Sequence, residues 1–507
     1  MVFAARSFPT SYASTMNVKR LGMAGLFFSA LMLVAGPTPA DITPLLPNAH
    51  RALLARSGDT LSDGATLLRA SFDNIYWLPT GGGNGHLFIN HELVYPMGGM
   101  SRLIYTAEVG ITHGMDWVTG THFNCSGCFT PSGKILSCEE YPPPDSLDLG
   151  HVIEVHPLSP ERWERKRAMG RFSHESVIID PWTGDYYMTD DSYNGVFFRY
   201  VPVNGSLNVG DLFAFREPTN DWVQVTDLVH AEEEAIALGA TTHQRPEDLV
   251  YNPVDDAIYI MITGNYNLPE VRMGYILRFD PRTQTMTRWL DGDGPVMANP
   301  DNVEVDSYGN LLVHEDQFPM NGADFGPNEL HLIRLDRSIE PILRGNDLLG
   351  EMAGLAFAES ENHFFINWMN GAEGSELYEV YCPLGWNAPP VGVPEAPAPR
   401  AEVRLIAGPN PFGRETMLEI LGSVGTGAGG GEALRLDIVD VRGAIVRTLL
   451  VGQTSRAGAS DPTGGPRMRV PWDGRDASGR SVAPGTYFAR LTRGGRPAAS
   501  AKLVLVH

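Results

Sequence analysis

The chain has 507 residues, which exceeds one ordinary hydrophobic core and predicts more than one domain. Its 60 Asp and Glu residues against 38 Lys and Arg give a formal charge of −22, which repels phosphate backbones and anionic lipids and argues against a nucleic-acid partner. The 55 glycines and 38 prolines indicate turn-rich β structure, and four cysteines are too few for a disulfide framework.

The N-terminal segment predicts export. A basic pair, Lys19 and Arg20, precedes an apolar run over residues 21–36, and small residues then suit cleavage after Ala40. The run is short for a membrane-spanning helix, although an uncleaved anchor is the alternative. We expect residues 1–40 to be a signal peptide, so that the mature protein is periplasmic, extracellular or on the cell surface and has no membrane span.

One pattern recurs six times within residues 41–386, at intervals of about fifty residues. In its clearest copy an acidic residue opens the β-rich run Pro300–Val305, a turn follows, and Leu311–Asp316 returns. This period is typical of a β-propeller, so we predict six blades, with a β-sandwich as the alternative. A longer interval near Ala231 leaves room for one short helix. The other copies pair Asp73 with Leu87–Glu92, Asn124 with Ile135–Glu140, His174–Ile179 with Tyr186–Asp191, Pro246–Tyr251 with Tyr259–Gly264, and Met352 with Phe364–Met369.

A second, smaller domain is predicted after the repeats. Residues 387–402 are rich in proline and predict a stiff linker. Residues 403–507 alternate short strands with turns, which predicts a small β-sandwich with no catalytic pattern. It resembles the immunoglobulin-like C-terminal domain of the flagellar-hook-cap family and the sorting domains of secreted bacterial proteins. We expect either a stabilising appendage or an attachment to secretion or surface machinery. The motifs that carry the resemblance are Pro409–Phe412, Asp440–Gly443, Trp472–Asp476 and Pro484–Tyr487.

The repeats predict where functional side chains gather. In an antiparallel blade the start of the innermost strand and the end of the second strand lie at the same end, because a turn joins the two strands at the other end. Both positions therefore share one mouth of the central channel. The start positions are Asp73, Cys125, Glu175, Glu247, Asp301 and Ala353, and the end positions include Glu92, Cys138, Glu139, Glu140, Asp191, Glu315 and Asp316.

So many carboxylates in one partly desolvated funnel would repel each other unless cations neutralise them. Oxygen donors suit Ca²⁺, whereas a thiolate such as Cys138 favours a transition metal, so we predict at least two metal types. Arg245 stands two residues before Glu247 and suits bidentate binding of a tetrahedral anion. The alternatives are solvated turn acids, a buried apolar Cys138 and an arginine that only pairs with Glu247 or Asp248.

Three other patterns carry less information. Cys125 and Cys128 could form half a zinc site or a redox pair, but no second such pair follows, and we expect a local disulfide or packing. The sequence has no Gly-x-Ser-x-Gly motif, which argues against a serine hydrolase. The triple glycine at residues 81–83 precedes a strand, which argues against a phosphate-binding loop.

Seven motifs, in chain order, are Asn124–Gly127, Thr130–Gly133, Ser137–Glu140, Gly170–Glu175, Asp180–Gly184, Arg245–Glu247 and Pro300–Asn302. Together they resemble the PhoX-type alkaline phosphatase family over roughly Ser71–Pro383. The resemblance implies an exported six-bladed propeller that hydrolyses small phosphate esters with Fe³⁺ and Ca²⁺ at the channel mouth, through a metal-activated hydroxide or oxide. The chain departs from the family in its shorter propeller, in the absence of a twin-arginine signal and in having Cys128 where a small residue is expected.

The resemblance also implies roles for individual residues. Cys138 is the expected thiolate ligand of iron, and Arg245 the expected phosphate clamp. The expected carboxylate and amide ligands are Glu175 and Glu247 for iron or calcium, Asp301 and Asn302 for calcium, and Glu92, Glu139, Glu140, Glu315 and Asp316 for metals that the resemblance leaves unassigned.

The favoured function is therefore that of a secreted, metal-dependent phosphatase. One alternative is a calcium-dependent lactonase-type hydrolase on the same fold, which would have no use for the Cys138 thiolate. Another is a non-catalytic, calcium-binding surface protein presented by the C-terminal sandwich.

Overall fold

The computed structural model of the chain describes residues 42–506 except 131, 141–146, 161, 317–326, 347–349, 359, 372, 384, 389–402, 409–411, 423–433, 441–444, 453–466 and 494–495. The predicted signal peptide, most of the predicted linker and parts of two C-terminal motifs lie outside these residues. The described chain is nearly all β, with one α-helix, Ala231–Ala237, and one 3-10 helix, Arg167–Met169. Within it, no helix combines the length and the apolar character that crossing a membrane requires.

Six antiparallel sheets follow one another along the described chain before residue 386. We number them in chain order. Sheet 1 contains Phe72–Gly81, Asn84–His91, Gly98–Thr106 and Gly110–Thr121; sheet 2 contains Ile135–Cys138, Val152–Val155 and Trp163–Arg165; sheet 3 contains His174–Ile179, Tyr186–Asp190, Gly195–Val203, Ser206–Arg216 and Asp221–Val225, with Thr242–His243 paired to its third strand; sheet 4 contains Pro246–Asn252, Ala257–Ile262, Tyr275–Asp280 and Thr285–Asp291; sheet 5 contains Pro300–Val305, Leu311–Glu315, Glu329–Ile333 and Ile339–Gly345; sheet 6 contains Glu351–Phe357, His363–Gly371 and Gly374–Tyr381.

These bounds agree with the predicted repeats. The predicted runs His174–Ile179 and Pro300–Val305 are strands with those same limits, and most of the other first and second strands differ by a few residues. The exception is the first run of the Asn124 copy, which forms only isolated bridges from Asn124 to Glu139 and from Phe129 to Ile135. The short helix predicted near Ala231 is also confirmed. Its first turn holds three glutamates, which favour a helix N-terminus, and it ends before Gly239, whose φ of 86° suits the residue that follows a helix.

The first two strands of the described chain complete the last two sheets. Ile42–Pro44 pairs with Ile339–Gly345 in sheet 5, and His50–Arg56 pairs with Gly374–Tyr381 in sheet 6. The sequence analysis did not predict this pairing, because it found strands only from Asp73 onward. The added strands cover the outer edges of both sheets, which would otherwise expose unpaired backbone groups.

Six hydrophobic clusters join the sheets into a closed ring. Each cluster contains buried side chains of two consecutive sheets, from sheets 1 and 2 through sheets 5 and 6, and the sixth joins sheet 6 back to sheet 1. In this last cluster the rings of Trp77 and Phe365 lie 5.0 Å apart. The first strand of sheets 1, 3, 4, 5 and 6 therefore faces the inside of the ring. We call the end of the ring where these first strands begin the channel mouth.

The C-terminal region forms two further antiparallel sheets. One contains Val403–Gly408, Thr416–Gly422 and Arg467–Trp472, and the other contains Ile445–Gly452, Leu434–Val439, Gly485–Arg493 and Arg496–Leu505. Buried side chains of both sheets, among them Leu418, Leu436 and Trp472, share one core.

The C-terminal sheets contact the ring at the end opposite the channel mouth. Val439 and Phe488 belong to the cluster between sheets 2 and 3. The guanidinium of Arg490 lies 5.2 Å from the ring centroid of Trp182, in the turn between the first two strands of sheet 3. The Tyr251 hydroxyl at the far end of sheet 4 is 3.2 Å from the Ser500 hydroxyl.

Candidate metal centre

The first strands of sheets 1, 3, 4 and 5 carry the same irregularity near their start. In each, two residues of the first strand lie opposite one residue of the second, so that one extra residue forms a β-bulge. A bulge breaks the regular alternation of a strand and re-aims its side chains. The first residues in the four bulges are Asp73, Glu175, Glu247 and Asp301.

The second residue of the bulge ties neighbouring sheets together. Asp248 accepts a hydrogen bond from the backbone N–H of Val303 through Oδ2, at 3.0 Å. Asn302 accepts one from the N–H of Gly354 through Oδ1, at 3.2 Å, and donates through Nδ2 to Ser126 Oγ, also at 3.2 Å. The amide of Asn302, a predicted calcium ligand, thus links sheets 2, 5 and 6, and its role as a ligand stays a prediction.

Metal-ligating side chains meet at the channel mouth. Four groups of three place their ligand atoms within 4.8 Å of one another. Three residues each belong to two groups, so the groups form one continuous cluster of eight carboxyl groups and one thiol, which we call the mouth cluster. The groups are Asp73, Cys125 and Glu175; Glu92, Cys125 and Glu140; Glu175, Glu247 and Asp301; and Asp301, Asp316 and Glu351.

Burial and mutual repulsion shape the ionisation of this cluster. Burial, with the charges of Asp191 and Asp316, raises the pKa of Glu92 to about 7. Burial and neighbouring carboxylates also hold the pKa of Glu175 and of Asp301 well above their usual range. Two unit charges 4.8 Å apart repel by about 3 kcal/mol at an effective dielectric constant of about 20. Three ionised carboxylates in one group would thus cost about 10 kcal/mol, which is comparable to the whole stability of a domain.

Cations would remove this cost, and the donor set fits them. Clustered carboxylate oxygens are the ligands that Ca²⁺ prefers, while a thiol among them adds a soft donor of the kind that transition metals take. Asp73 Oδ2 is buried and accepts no hydrogen bond from the part of the chain that the structure describes, so it keeps its capacity to bind a cation.

Arg245 is the basic residue at the centre of this site. Its Nε and Nη2 donate to the two oxygens of Asp191 at 3.1 and 3.2 Å, and it also forms ion pairs with Glu247 and Asp316. Burial would lower the pKa of Arg245, but the charges of these carboxylates outweigh it and hold the pKa well above the usual range. The side chain keeps 24% of its surface exposed, so the guanidinium can be reached from the channel mouth.

Six of the predicted metal-binding residues belong to the mouth cluster, namely Glu92, Glu140, Glu175, Glu247, Asp301 and Asp316. Two others hold loops instead. Glu139 accepts hydrogen bonds from the N–H groups of Gly150 and His151 and forms an ion pair with Arg165 at 2.7 Å.

Glu315 has an equivalent place in sheet 5. Its carboxylate accepts hydrogen bonds from the backbone N–H groups of Ala298 and Glu329, at 2.7 and 3.0 Å, and lies 3.2 Å from His331 Nε2. The acid that follows Ile135–Cys138 in sheet 2 and the acid that ends the second strand of sheet 5 therefore both support loops, while the next residue along the chain, Glu140 or Asp316, joins the mouth cluster.

The two buried cysteines of sheet 2 have different surroundings. Cys138 lies in the hydrophobic cluster between sheets 2 and 3, beside Leu136 and Val152, and not in the mouth cluster. Cys125 Sγ is 3.5 Å from Glu140 Oε2, and burial followed by the charges of surrounding carboxylates raises the pKa of its thiol. None of the four cysteines forms a disulfide, so the alternative of a local disulfide between Cys125 and Cys128 is wrong.

The structure adds residues to the predicted site. Asp73 and Cys125 occupy predicted start positions, but the analysis assigned neither a metal. Glu351 was missed, because the repeat aligns Ala353 with the acids, and the carboxylate comes from two residues earlier on the same strand. Side chains two residues apart share a face of a strand, and that periodicity is the signal that could have found Glu351.

Comparisons with known proteins show what this chain is similar to. A family model described as "Alkaline phosphatase PhoX" matches residues 96–369, more than half of the chain. Among solved structures, the chain is similar to Pseudomonas fluorescens PhoX in complex with vanadate, a transition state analogue, with 17% identity and a TM-score of 0.55 over 67% of this chain and 96% of that one. It is also similar to the gluconolactonase XC5397 of Xanthomonas campestris, with 14% identity and a TM-score of 0.36 over 68% of this chain and 94% of that one. A comparison with curated proteins found no match.

Proposed function

The chain belongs to the alkaline phosphatase PhoX family, and we propose that it is an exported, metal-dependent phosphatase that hydrolyses small phosphate esters. The observation that carries this proposal is the mouth cluster, which sets eight carboxyl groups and a thiol around the guanidinium of Arg245. This set combines the donors that metals need with a cation that suits the phosphate group.

The fold supports the proposal at a finer level. Six consecutive sheets joined by six hydrophobic clusters are the arrangement expected of a six-bladed propeller. The two C-terminal sheets with a shared core support an immunoglobulin-like sandwich over residues 403–507. We propose that this sandwich serves secretion or surface attachment, since it contacts the ring away from the channel mouth.

We propose that the metals are Ca²⁺ and Fe³⁺ and that Cys125, in place of the predicted Cys138, is the thiolate ligand of the iron. Cys125 shares two groups of ligand atoms with carboxylates, whereas Cys138 lies among apolar side chains. When bound, the metals would lower the pKa of water and offset charge on the phosphoryl oxygens. The residues that would hold them are Asp73, Glu92, Cys125, Glu140, Glu175, Glu247, Asp301, Asp316 and Glu351.

The protein's own part in the reaction centres on Arg245. Asp191 accepts two hydrogen bonds from its guanidinium and so fixes the orientation of that planar group. Once metals hold the Glu247 and Asp316 carboxylates, the N–H groups that now face those two residues can donate to two non-bridging oxygens of a phosphate ester and stabilise the charge that develops on them. Asp191 is thus a positioning residue for the phosphate clamp.

The test is a turnover assay on the full mature chain. With Ca²⁺ at alkaline pH, the protein purified from its native host should release p-nitrophenol from p-nitrophenyl phosphate, lose that activity with a chelator and contain both iron and calcium by elemental analysis. A preparation that holds both metals and leaves phosphate esters intact would refute the proposal. Hydrolysis of a lactone with calcium alone, unaffected by Cys125→Ser, would favour the lactonase-type alternative.

A further inference from the structure

A cavity of about 350 Å³ lies between sheets 2 and 3. Its walls come from residues 147–151, between the first two strands of sheet 2, from residues 167–171, which lead into sheet 3, and from Leu228 and Val229. We propose that this cavity binds the alcohol part of the substrate and selects phosphate esters whose alcohol carries an apolar body and a second negative charge. The inference rests on the proposed function and adds a substrate class to it.

Two short segments of the chain connect the cavity to the mouth cluster. On one side the N–H of His151 donates to Glu139, which adjoins Glu140 of the mouth cluster in the chain. On the other side Arg171 stands two residues before Ser173, whose hydroxyl lies 3.5 Å from Glu140 Oε1. Since consecutive Cα atoms are about 3.8 Å apart, the backbone of Arg171 lies within about 8 Å of that of Ser173. An ester bound at the mouth cluster can therefore extend its alcohol into the cavity.

The charge of the lining favours an anion. Two arginines, Arg167 and Arg171, and one aspartate, Asp148, line the cavity, in a protein whose formal charge is −22. Arg167 Nε donates to Asp148 Oδ1 at 2.9 Å, and Arg171 Nε donates to the carbonyl oxygen of Leu149 at 2.9 Å, which anchors its guanidinium beside the cavity. A planar guanidinium that lines a cavity can bind a carboxylate or a second phosphate group of the ligand through two hydrogen bonds.

The remaining lining favours an apolar body. Leu147 and Val229 are 41% and 49% exposed, and Leu228 lies beside Val229. A ligand that covers them would gain about 25 cal/mol for each Å² of apolar surface removed from water. The volume of the cavity lies at the lower end of the range for small-molecule sites, roughly 300–1,000 Å³, which suits an alcohol of the size of a substituted aromatic ring.

The experiment compares three substrates of the full mature chain: methyl phosphate, phenyl phosphate and 4-carboxyphenyl phosphate. In Arg171→Gln we expect the ratio of kcat/KM for 4-carboxyphenyl phosphate to that for phenyl phosphate to fall about tenfold, because the second charge loses its partner. In Val229→Ser the ratio for phenyl phosphate to methyl phosphate should fall. The matched control is Arg334→Gln, which removes an arginine paired with Glu340 at 2.7 Å and should keep both ratios at the wild-type value.

A binding measurement separates this inference from the proposed function. We expect 4-hydroxybenzoate, the alcohol that 4-carboxyphenyl phosphate releases, to bind the full chain in calorimetry about tenfold more tightly than it binds Arg171→Gln. Equal binding, or unchanged ratios in an enzyme that hydrolyses phenyl phosphate, would overturn the inference and leave the proposed function standing. Arg171-dependent binding in a protein that hydrolyses no phosphate ester would support the cavity and overturn the phosphatase.

Discussion

The thiols of Cys125 and Cys138 are both buried, and the N–H of Cys125 donates to the carbonyl oxygen of Cys138, yet the two side chains have different neighbours. Cys125 faces carboxyl groups and can share a cation with them, while Cys138 packs among apolar side chains. Composition and spacing alone favoured Cys138, because Glu139 and Glu140 follow it directly. Only the position of the two strands relative to each other separates the residues, and that depends on tertiary contacts.

We expect Cys125→Ser to lower turnover at least about 100-fold. Mutation of a residue that only supports a metal ligand already lowers metal affinity or activity by about 10- to 100-fold, and Cys125 is itself a proposed ligand. Iron content should fall together with turnover, since a hydroxyl is a poorer donor for the proposed iron. The matched variant is Cys138→Ser, which should keep iron and activity but lose about 1–3 kcal/mol of stability, because it buries a hydroxyl among apolar groups. The opposite pattern of metal content in the two variants would contradict the proposed ligand.

Arg245→Lys tests the phosphate clamp. Lysine keeps the charge but lacks the planar fork that Asp191 orients, so kcat/KM for p-nitrophenyl phosphate should fall about 10²–10³-fold. Arg278→Lys is the control, because Arg278 forms a similar ion pair with Asp255, at 2.9 Å, on another part of sheet 4. Equal kinetics of the two variants would show that Arg245 does not touch the substrate.

At the scale of the element, the β-bulge that recurs in four first strands explains which residues of the site could be predicted from the sequence. The acids at the start of the first strands were found because each repeat places them in the same bulge. The residues at the end of the second strand were harder to assign. Glu139 and Glu140 are adjacent and chemically identical, but strand alternation sends one to backbone N–H groups and the other to the mouth cluster.

Gly354 shows how closely the bulges of neighbouring sheets approach. Its φ is +48°, and an added Cβ would lie 2.6 Å from the backbone Cα of Asn74 and from the carbonyl oxygen of Asp73. We expect Gly354→Ala to lower the free energy of unfolding by about 1–3 kcal/mol and to weaken metal binding by displacing Asp73. Thermal unfolding and elemental analysis measure the two effects.

The control for this variant is Gly64→Ala. Gly64 also has a positive φ, +73°, but an added methyl group would reach open space there. Gly64→Ala should lose only the stability that the strained backbone costs, and it should keep the wild-type metal content. Loss of metal in both variants would rule out the local displacement of Asp73.

At the scale of the whole molecule, the six repeats predicted the ring because each repeat needs a neighbour to bury its apolar face. The pairing of Ile42–Pro44 and His50–Arg56 with sheets 5 and 6 could not be predicted in the same way. Both strands are short and their partners lie at the far end of the repeats, so no local pattern connects them.

Metal removal should lower the melting temperature of the whole protein, because the mouth cluster joins all six sheets. The metal-free protein should also lose stability as the pH rises from about 5 to about 7. Burial raises the pKa of Glu92 to about 7, so the folded state holds a proton that the unfolded state has already released. Thermal scans with and without chelator at several pH values measure this, and a chelated protein that gains stability over that range would contradict it.

Deleting all residues after Arg400 should leave turnover unchanged, since the C-terminal sheets contact the ring opposite the channel mouth. The same deletion should lower the melting temperature and the solubility, because it uncovers Trp182 and the cluster that Val439 and Phe488 complete. Activity assays and thermal scans of the truncated protein test both effects. A loss of activity with an unchanged melting temperature would contradict this account.

The strands that complete sheets 5 and 6 bear on how the protein reaches its final compartment. Residues 42–56 are synthesised before any of the repeats, but their partners, residues 339–345 and 374–381, are synthesised only near the end of the repeats. Until then the early strands have no place in the ring, and the non-local pairing makes closure slow. In the export that we propose for this protein, a chain that stays open for that long could pass through a narrow translocation pore and close its ring on the far side.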